Sequence, residues 1–415
     1  MTWWAVAFTR ALWIRALPLG VFLSGCSPSD PTVIFEYAPY EGEAFPNKRT
    51  PLTIPEGGAA FVTNSYSDTV SVLAIATGDI LGTYPVGRDP VSLDGPHHIA
   101  VSPSGDAVYI GLSYPVVAAA GPHASHGSST RSGYAQKLDG GDMHVVGQVR
   151  VDYNPGDIVL SEDGKRLVTS HFDLKLALAN PTNLEAARAT VAVIDPSQMF
   201  LTGSPSATRI KTCVLPHGMA LSRPDGATLY VSCYGEDSVT IVDLNAGQVS
   251  KRIPLGAAAG DFGDPTYGPY SLTLSPSGAL LAVGSTVSND VRFIETSQGE
   301  LNSDLTLPML GSPYFAAFSA DEKQIVVPLQ SPDAVAIFDL ATKTELARRD
   351  FSGDECPLPH QVARDKSGDY LLVCEGDHEG PGKLLWLNST SLDVKRSVEV
   401  EVYPDAVTLL YKEAQ

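Results

Sequence analysis

Short runs of alternating apolar and polar residues, separated by turns rich in Gly, Asn and Asp, extend from about residue 58 to the end of the chain. Two examples are Thr228–Ser232 and Val239–Asp243, in which β-branched residues are frequent. A period of two residues between turn signals is typical of β-strands, whereas an amphipathic helix has a period of 3.6. The pattern therefore predicts an all-β fold made of many short strands.

A proline followed by an apolar run and a Ser-Pro-Ser-Gly-type turn recurs along this region. The seven marker prolines are Pro96, Pro155, Pro216, Pro269, Pro313, Pro359 and Pro404. They are separated by 44 to 61 residues, with the longer units early in the chain. Each unit has room for four strands, and a repeat of this length indicates a propeller or a solenoid.

The two ends of the repeat region distinguish these architectures. The last copy, Pro404–Leu410, has room for one innermost strand, and the segment before the first complete copy, Ala59–Val86, has room for the other three. Joined together, the fragments complete a blade and remove the open sheet edges, which a solenoid would leave exposed. We therefore predict a seven-bladed β-propeller whose last blade is closed by the C-terminal inner strand and three N-terminal strands.

Two segments carry a family resemblance. Phe61–Ser65 and Asp68–Val72 are similar to the consensus of YVTN-family repeats, and the resemblance covers about residues 58–411. It implies that the loops entering the innermost strand and the loops joining the second and third strands open on one face, here called the top face, where the ligand binds.

The N-terminal segment has the features of a bacterial export signal. Arg10 and Arg15 precede a short apolar run, and the following Leu-Ser-Gly-Cys resembles a lipobox in which Cys26 is acylated. The apolar run is shorter than the roughly 20 residues that span a bilayer. We predict a lipoprotein signal peptide over 1–26, a Pro/Ser/Gly-rich tether over 27–57 and the propeller over 58–415. The lipid would anchor the protein to the outer membrane, facing the periplasm or the cell surface.

The charge of the chain excludes one class of partner. The formal net charge is −19, and the sequence contains no basic cluster. Because such a surface repels a phosphate backbone, we expect no binding to nucleic acid.

Most candidate ligand-binding residues directly follow the marker prolines, and His171 ends the predicted second strand Leu167–His171. Those predicted to lie on the top face at the channel mouth are His97, His98, His171, His217, His360, Tyr270, Tyr314 and Asp405. One interpretation is hub packing, since His and Tyr are common after the proline in such repeats. The other is a metal site, because neutral imidazoles suit copper, zinc or iron, and copper or another transition metal is the candidate cofactor.

Three insertions are also assigned to the top face: 114–132, 172–190 and 256–268. The first contains His123 and His126 and is predicted to be a flap. The second contains Leu184–Arg188, where we expect a short helix.

Four cysteines remain besides Cys26. They repeat one arrangement, with Cys213 and Cys233 around one marker proline and Cys356 and Cys374 around another. In an exported protein this arrangement predicts the disulfides Cys213–Cys233 and Cys356–Cys374. A thiolate–histidine metal site is the alternative. No Cys-x-x-Cys-His motif occurs, which excludes covalently attached c-type haem.

The sequence leaves three functions open. It lacks a nucleophile elbow, a phosphate-binding loop and a dinucleotide fingerprint. The first hypothesis is a binding or interaction propeller of the cell envelope, with a protein or small ligand on its top face. The second is a copper-type metal-dependent oxidoreductase or electron-transfer partner, and the third is a lactonase-type hydrolase.

Overall fold

The computed structural model describes residues 49–88, 90–116, 129, 131–202, 205–256 and 264–411. The chain divides into two units, Met1–Ala38 and Pro39–Gln415, and all described residues belong to the second. The predicted signal peptide with Cys26, most of the predicted tether, and His123 and His126 lie outside the described residues. The boundaries at residues 26 and 57 therefore stay predictions.

The described residues form seven antiparallel sheets arranged as the seven blades of a β-propeller, which confirms the predicted fold class. Blade 7 contains β1 (Ala59–Asn64), β2 (Thr69–Ala74) and β3 (Ile80–Pro85). Blade 1 contains β4 (Pro96–Val101), β5 (Ala107–Leu112), β6 (Ser132–Asp139) and β7 (Val145–Tyr153). Blade 2 contains β8 (Pro155–Leu160), β9 (Leu167–His171), β10 (Thr190–Ile194) and β11 (Thr208–Lys211). Blade 3 contains β12 (Pro216–Leu221), β13 (Thr228–Cys233), β14 (Ser238–Asp243) and β15 (Gln248–Pro254).

The remaining blades follow in chain order. Blade 4 contains β16 (Pro269–Leu274), β17 (Leu280–Ser285), β18 (Asp290–Glu295) and β19 (Glu300–Pro308). Blade 5 contains β20 (Ser312–Pro313), β21 (Ala317–Phe318), β22 (Gln324–Gln330), β23 (Ala334–Asp339) and β24 (Thr344–Asp350), the first two being segments of one interrupted inner strand. Blade 6 contains β25 (Pro359–Arg364), β26 (Tyr370–Cys374), β27 (Pro381–Leu387) and β28 (Val394–Val402). The last strand, β29 (Pro404–Leu410), returns to blade 7.

The ring closes as predicted, because β29 pairs antiparallel with β1. Val407 lies opposite Val62, and Leu410 lies opposite Ala59. The sheet order β29-β1-β2-β3 is thus assembled from both ends of the repeat region. This pairing supplies the innermost strand without which blade 7 would expose an edge to the channel.

Apolar side chains fill the spaces between neighbouring blades. Between blades 7 and 1, Phe61, Val70 and Tyr84 pack against Ile110 and Leu138. Similar clusters join the other blades, and they bury the inward positions of the alternating pattern seen in the sequence. Each blade is therefore stabilised by apolar contacts with its two neighbours as well as by its own strand pairing.

Two short helices interrupt the second-to-third-strand loop of blade 2. They are α1 (Leu174–Ala179) and α2 (Leu184–Ala187), whose first turns are capped by the side chains of Asp173 and Asn183. The predicted helix near residue 184 is confirmed, whereas α1 was not predicted. None of the described helices has the length and apolar character needed to cross a bilayer.

Both predicted disulfides are present. The Cα atoms are 5.7 Å apart in Cys213–Cys233 and 5.0 Å apart in Cys356–Cys374, within the usual range. Since the four sulfur atoms are bonded to one another, none is a thiolate, and the alternative of a thiolate–histidine metal site is wrong.

Candidate functional site

All seven innermost strands begin at or directly before a marker proline, so their first residues meet at the top end of the channel. In blades 1, 2, 3 and 6 a β-bulge follows the proline: Pro96 pairs with Leu112, but Ile99 pairs with Ile110. The bulge takes the two intervening residues out of the regular ladder. Both positions after the proline can therefore contribute side chains to the hub.

We call the resulting group the hub cluster. It receives side chains from every blade, and each of these residues is 6 % exposed or less. Its members are His97, His98, Asp157, His217, Tyr270, Tyr314, Phe315, His360, Glu375 and Asp405. Seven of the eight predicted top-face residues are therefore brought together. All seven are buried, although they were predicted to lie at the channel mouth.

His171, the eighth predicted residue, is placed apart from the hub cluster. Its Nδ1 lies 2.9 Å from the carbonyl oxygen of Thr190, and its Nε2 accepts a hydrogen bond of 3.2 Å from the amide of Asp152. Burial lowers the pKa of His171 to about 4, against the opposing effect of the Asp152 carboxylate. His171 is thus a neutral, hydrogen-bonded residue of blade 2, because it ends the second strand instead of beginning the innermost one.

Aromatic contacts form one side of the hub cluster. The rings of His217 and Tyr270 stack with centroids 3.8 Å apart and planes at 25°. Gly156, the residue after the blade 2 proline, leaves the space for this stack, since a Cβ there would lie 2.9 Å from His217 Cδ2. The Phe315 ring lies 4.7 Å from His98 and 5.5 Å from His360, between centroids.

Two buried histidine–carboxylate pairs link the blades. His98 Nδ1 lies 2.8 Å from Asp157 Oδ1, while Asp157 Oδ2 accepts a 2.8 Å hydrogen bond from the amide of Met219. These contacts join blades 1, 2 and 3. In the part of the chain that the structure describes, no hydrogen-bond partner is within reach of His98 Nε2. The second pair joins His97 Nδ1 to Asp405 Oδ2 at 3.0 Å.

A histidine and two carboxyl groups converge where blades 6 and 7 meet. His360 Nδ1 lies 2.7 Å from the backbone carbonyl oxygen of Asp405 and 3.6 Å from Glu375 Oε1. One ligand atom from each of His360, Glu375 and Asp405 lies within 4.8 Å of the other two. This is the only fully buried group of three or more metal-ligating side chains among the described residues.

Burial determines the protonation states of these groups. It lowers the pKa of His360 to about 4, and it lowers the pKa of His97 well below the usual range, assisted by the nearby His98 and His360 rings. Burial, with the Asp405 carboxylate next in effect, raises the pKa of Glu375 well above its usual value. Near neutral pH the hub therefore offers neutral imidazoles and a carboxyl group that resists ionisation.

A cavity of about 390 Å³ lies in the channel beneath the hub cluster. His98, Asp157 and Phe315 line the end at the hub, and Ser222 and Arg223, which follow β12, line the end towards the opposite face. Small-molecule sites occupy cavities of this size, roughly 300–1,000 Å³. The described cavity thus reaches the hub from within the channel, which the sequence analysis did not predict.

Asp157, Phe315 and Glu375 were not predicted from the sequence. The first two lie two positions after a marker proline, and the doublet His97-His98 already suggested that this second position matters. Glu375 directly follows Cys374, at the top end of the second strand of blade 6. The sequence shows a carboxyl group at this position, but nothing in the sequence indicates that it faces His360.

Comparison with known proteins identifies the fold. No family model and no curated protein matches the chain. Among solved structures it is similar to a putative 6-phosphogluconolactonase from Bacteroides fragilis, with 14% identity and TM-score 0.60, covering 86% of this chain and 98% of that one. It is similar to the periplasmic gluconolactonase PpgL of Pseudomonas aeruginosa, with 16% identity and TM-score 0.60, covering 85% and 99%.

A third similar structure is hydrazine synthase from Kuenenia stuttgartiensis, with 18% identity and TM-score 0.55, covering 77% of this chain and 96% of that one. Proteins with such different activities share the architecture, so the likeness extends to the fold and not to the chemistry. By structure, the chain is a seven-bladed β-propeller, the fold it shares with the Bacteroides fragilis and Pseudomonas aeruginosa structures.

Proposed function

We propose that this chain is a ligand-binding protein of the bacterial cell envelope, and that the hub cluster holds a small polar ligand at the top end of the channel. The observation that carries the proposal is the convergence of His, Asp, Glu and Tyr side chains from all seven blades in one buried group. Burying ionisable groups costs free energy, and perturbed groups of this kind concentrate at functional sites. A purely structural hub would be filled at lower cost by apolar side chains.

The site is tested with protein purified from a periplasm without refolding. Native mass spectrometry detects a retained ligand, and thermal unfolding is measured with added periplasmic extract, metal ions and sugar lactones. A bound ligand should raise the melting temperature of the parent and of the control His144→Leu, which alters a half-exposed residue outside the hub cluster. The variant His98→Leu should lose most of this increase. If no ligand or ion produces an increase that depends on His98, the proposal is rejected.

We also propose that the protein is an outer-membrane lipoprotein of the YVTN type, anchored through Cys26. The lipobox-like Leu-Ser-Gly-Cys sequence supports the anchor, and the two disulfides are typical of an oxidising, exported environment. The variant Cys26→Ser should remain unprocessed or leave the membrane fraction. Processing and fractionation identical to those of the parent would contradict the anchor.

A lactonase-type hydrolase is the second candidate function. It is favoured by the position of Glu375, a carboxyl group with a raised pKa, 3.6 Å from the neutral imidazole of His360, since such a pair can supply an acid and a base. Hydrolysis of gluconolactone by the parent, abolished in Glu375→Gln, would support this candidate. A parent no faster than buffer with a panel of sugar lactones would reject it.

A further inference from the structure

His360, Glu375 and Asp405 surround one small volume with one nitrogen donor and several oxygen donors. His360 Nδ1 donates a hydrogen bond of 2.7 Å to the Asp405 backbone carbonyl oxygen and lies 3.6 Å from Glu375 Oε1, so a metal ion bound at Nδ1 would take the place of this proton. Donor atoms bound to one transition-metal ion at 2.0–2.2 Å lie roughly 3–3.5 Å apart. Because the donor atoms here are within 4.8 Å of one another, small side-chain rotations would bring them to that spacing.

The backbone holds all three side chains in place. His360 begins the bulge of β25, Asp405 occupies the matching position of β29, and Glu375 directly follows the disulfide-bonded Cys374. The Asp405 carboxylate is oriented further by His97 Nδ1 at 3.0 Å and by the hydroxyl of Ser65. Ligands of structural and catalytic metal ions are commonly fixed by outer hydrogen bonds of this kind.

The electrostatics of the group favour a cation. Two carboxyl groups are buried side by side, at 0 % exposure for Glu375 and 1 % for Asp405. Among the described residues, no Lys or Arg forms an ion pair with Glu375, whose ion-pair contacts are with His360 and His378. Neighbouring buried carboxylates repel each other unless a proton or a cation lies between them.

A further nitrogen without a hydrogen-bond partner lies near the His360 ring. His98 is 4 % exposed, its Nε2 has no hydrogen-bond partner among the described residues, and its ring centroid lies 6.0 Å from that of His360. Imidazoles that share one ion have ring centroids roughly 5–6 Å apart, given metal–nitrogen bonds of about 2.0–2.1 Å. His98 thus brings a further nitrogen next to His360, one member of the three-residue group.

We propose that the hub cluster is a metal centre, in which His360, Glu375 and Asp405 bind one divalent transition-metal ion. This inference rests on the proposed ligand-binding function and names the class of ligand. Imidazole and carboxylate donors without sulfur suit Zn²⁺, Fe²⁺ or Mn²⁺ and disfavour Cu⁺. Zn²⁺ is therefore the first ion to test at this site.

The test uses the full propeller, freed of metal by a chelator and titrated with Zn²⁺ by calorimetry, with stoichiometry checked by elemental analysis. The parent should bind one Zn²⁺ per chain. Glu375→Gln and Asp405→Asn keep the side-chain shape but remove a carboxylate ligand, so each should weaken binding at least tenfold, the lower end of what outer-shell changes alone cause. The matched control Asp152→Asn alters a carboxylate on the same face that pairs with Arg209, and it should bind Zn²⁺ like the parent.

Two results would overturn the inference. One is a chelated parent that binds none of Zn²⁺, Mn²⁺, Fe²⁺ and Cu²⁺. The other is Zn²⁺ affinity that is unchanged in both Glu375→Gln and Asp405→Asn, provided that circular dichroism shows folded variants. Neither result rejects the proposed function, because an organic ligand dependent on His98 is detected separately by native mass spectrometry.

Discussion

Blades 3 and 6 reach the hub through the same short sequence but create different environments there. Cys213-Val-Leu-Pro-His217 and Cys356-Pro-Leu-Pro-His360 both lead into an innermost strand, and each first cysteine is bonded to the end of its second strand. The residue before the proline has a left-handed backbone with φ of 54° in both blades. For leucine this conformation is strained, and it persists where the surrounding structure holds it.

The surroundings of the two histidines differ. His217 stacks on Tyr270, and the residue after the second cysteine in its blade is Tyr234. Around His360, Asp405 of the next blade takes the place of Tyr270. Glu375, the residue after the second cysteine, takes the place of Tyr234. The same left-handed leucine and the same bulge thus place each histidine, while two neighbouring residues determine whether it packs against rings or joins carboxyl groups.

Removing the strand that carries Asp405 gives the largest expected effect. Deletion of 404–415 removes β29, which pairs with β1 and supplies one side of the blade 6 environment. We expect insoluble or unfolded protein, because the ring loses an innermost strand and its closure. Soluble yield and thermal unfolding measure this, with deletion of 412–415 as the control. A truncated chain that melts at the parental temperature would show that closure is not needed.

Replacing the disulfides tests whether blades 3 and 6 contribute equally to the stability of the chain but differently to Zn²⁺ binding. Replacing either pair by serine should lower the free energy of unfolding by about 3 kcal/mol, because each bond closes a loop of about 20 residues. Only Cys356→Ser/Cys374→Ser should also weaken Zn²⁺ binding, since Glu375 follows Cys374. Urea unfolding and calorimetry measure the two effects. Equal changes of Zn²⁺ affinity in both variants would remove the distinction between the blades.

His171 provides a buried histidine outside both blades, for comparison. Its pKa is lowered to about 4 in the folded chain, so between pH 4 and 6.5 the unfolded chain binds more protons. The free energy of unfolding should therefore rise with pH across this window, with a contribution from His171 of about 2–3 kcal/mol. His171→Asn should reduce that slope in urea titrations of chelator-treated protein. A slope identical to the parental one would mean that His171 is not held neutral.

The aromatic stack of blade 3 should give the smallest effect. Tyr270→Phe keeps a ring over His217, whereas Tyr270→Leu removes it. Since stacked aromatic pairs contribute about 0.5–1.5 kcal/mol beyond the area they bury, the Leu variant should be less stable than the Phe variant by about 1 kcal/mol. Urea unfolding of the two variants provides the measurement. Equal stability of the Phe and Leu variants would mean that the ring stacked on His217 contributes only by filling space.

Much of the fold was predictable because each blade repeats a local signal. The marker prolines coincide with the start of the innermost strands, and the complementary end fragments correctly predicted the closure of blade 7. The disulfides were also predictable, because Cys213 and Cys233 bracket one loop of a repeat whose geometry is known. The α1 helix was missed, since its six residues lie within an insertion that has no counterpart in other blades.

The candidate site was only partly predictable. His97, His217 and His360 occupy one repeat position, and that position could be assigned to the hub from sequence alone. Glu375 could not be assigned to the hub from the sequence, because it lies outside the marker motif. Only the folded arrangement of the strands brings it close to His360. His171 was assigned to the same group from its place at a strand end, and its bonds to Thr190 and Asp152 within blade 2 separate it.

The sequence by itself determined the strand pattern, the number of blades, the pairing of the cysteines and the face to which most histidines belong, because each depends on residues close together or on a repeated motif. Only the tertiary structure decided that these side chains are buried, that a channel cavity ends at His98, and that Asp405 and Glu375 meet His360. Asp405 and His360 are 45 residues apart and lie in different blades. Their contact depends on how neighbouring blades pack around the ring, which no local pattern encodes.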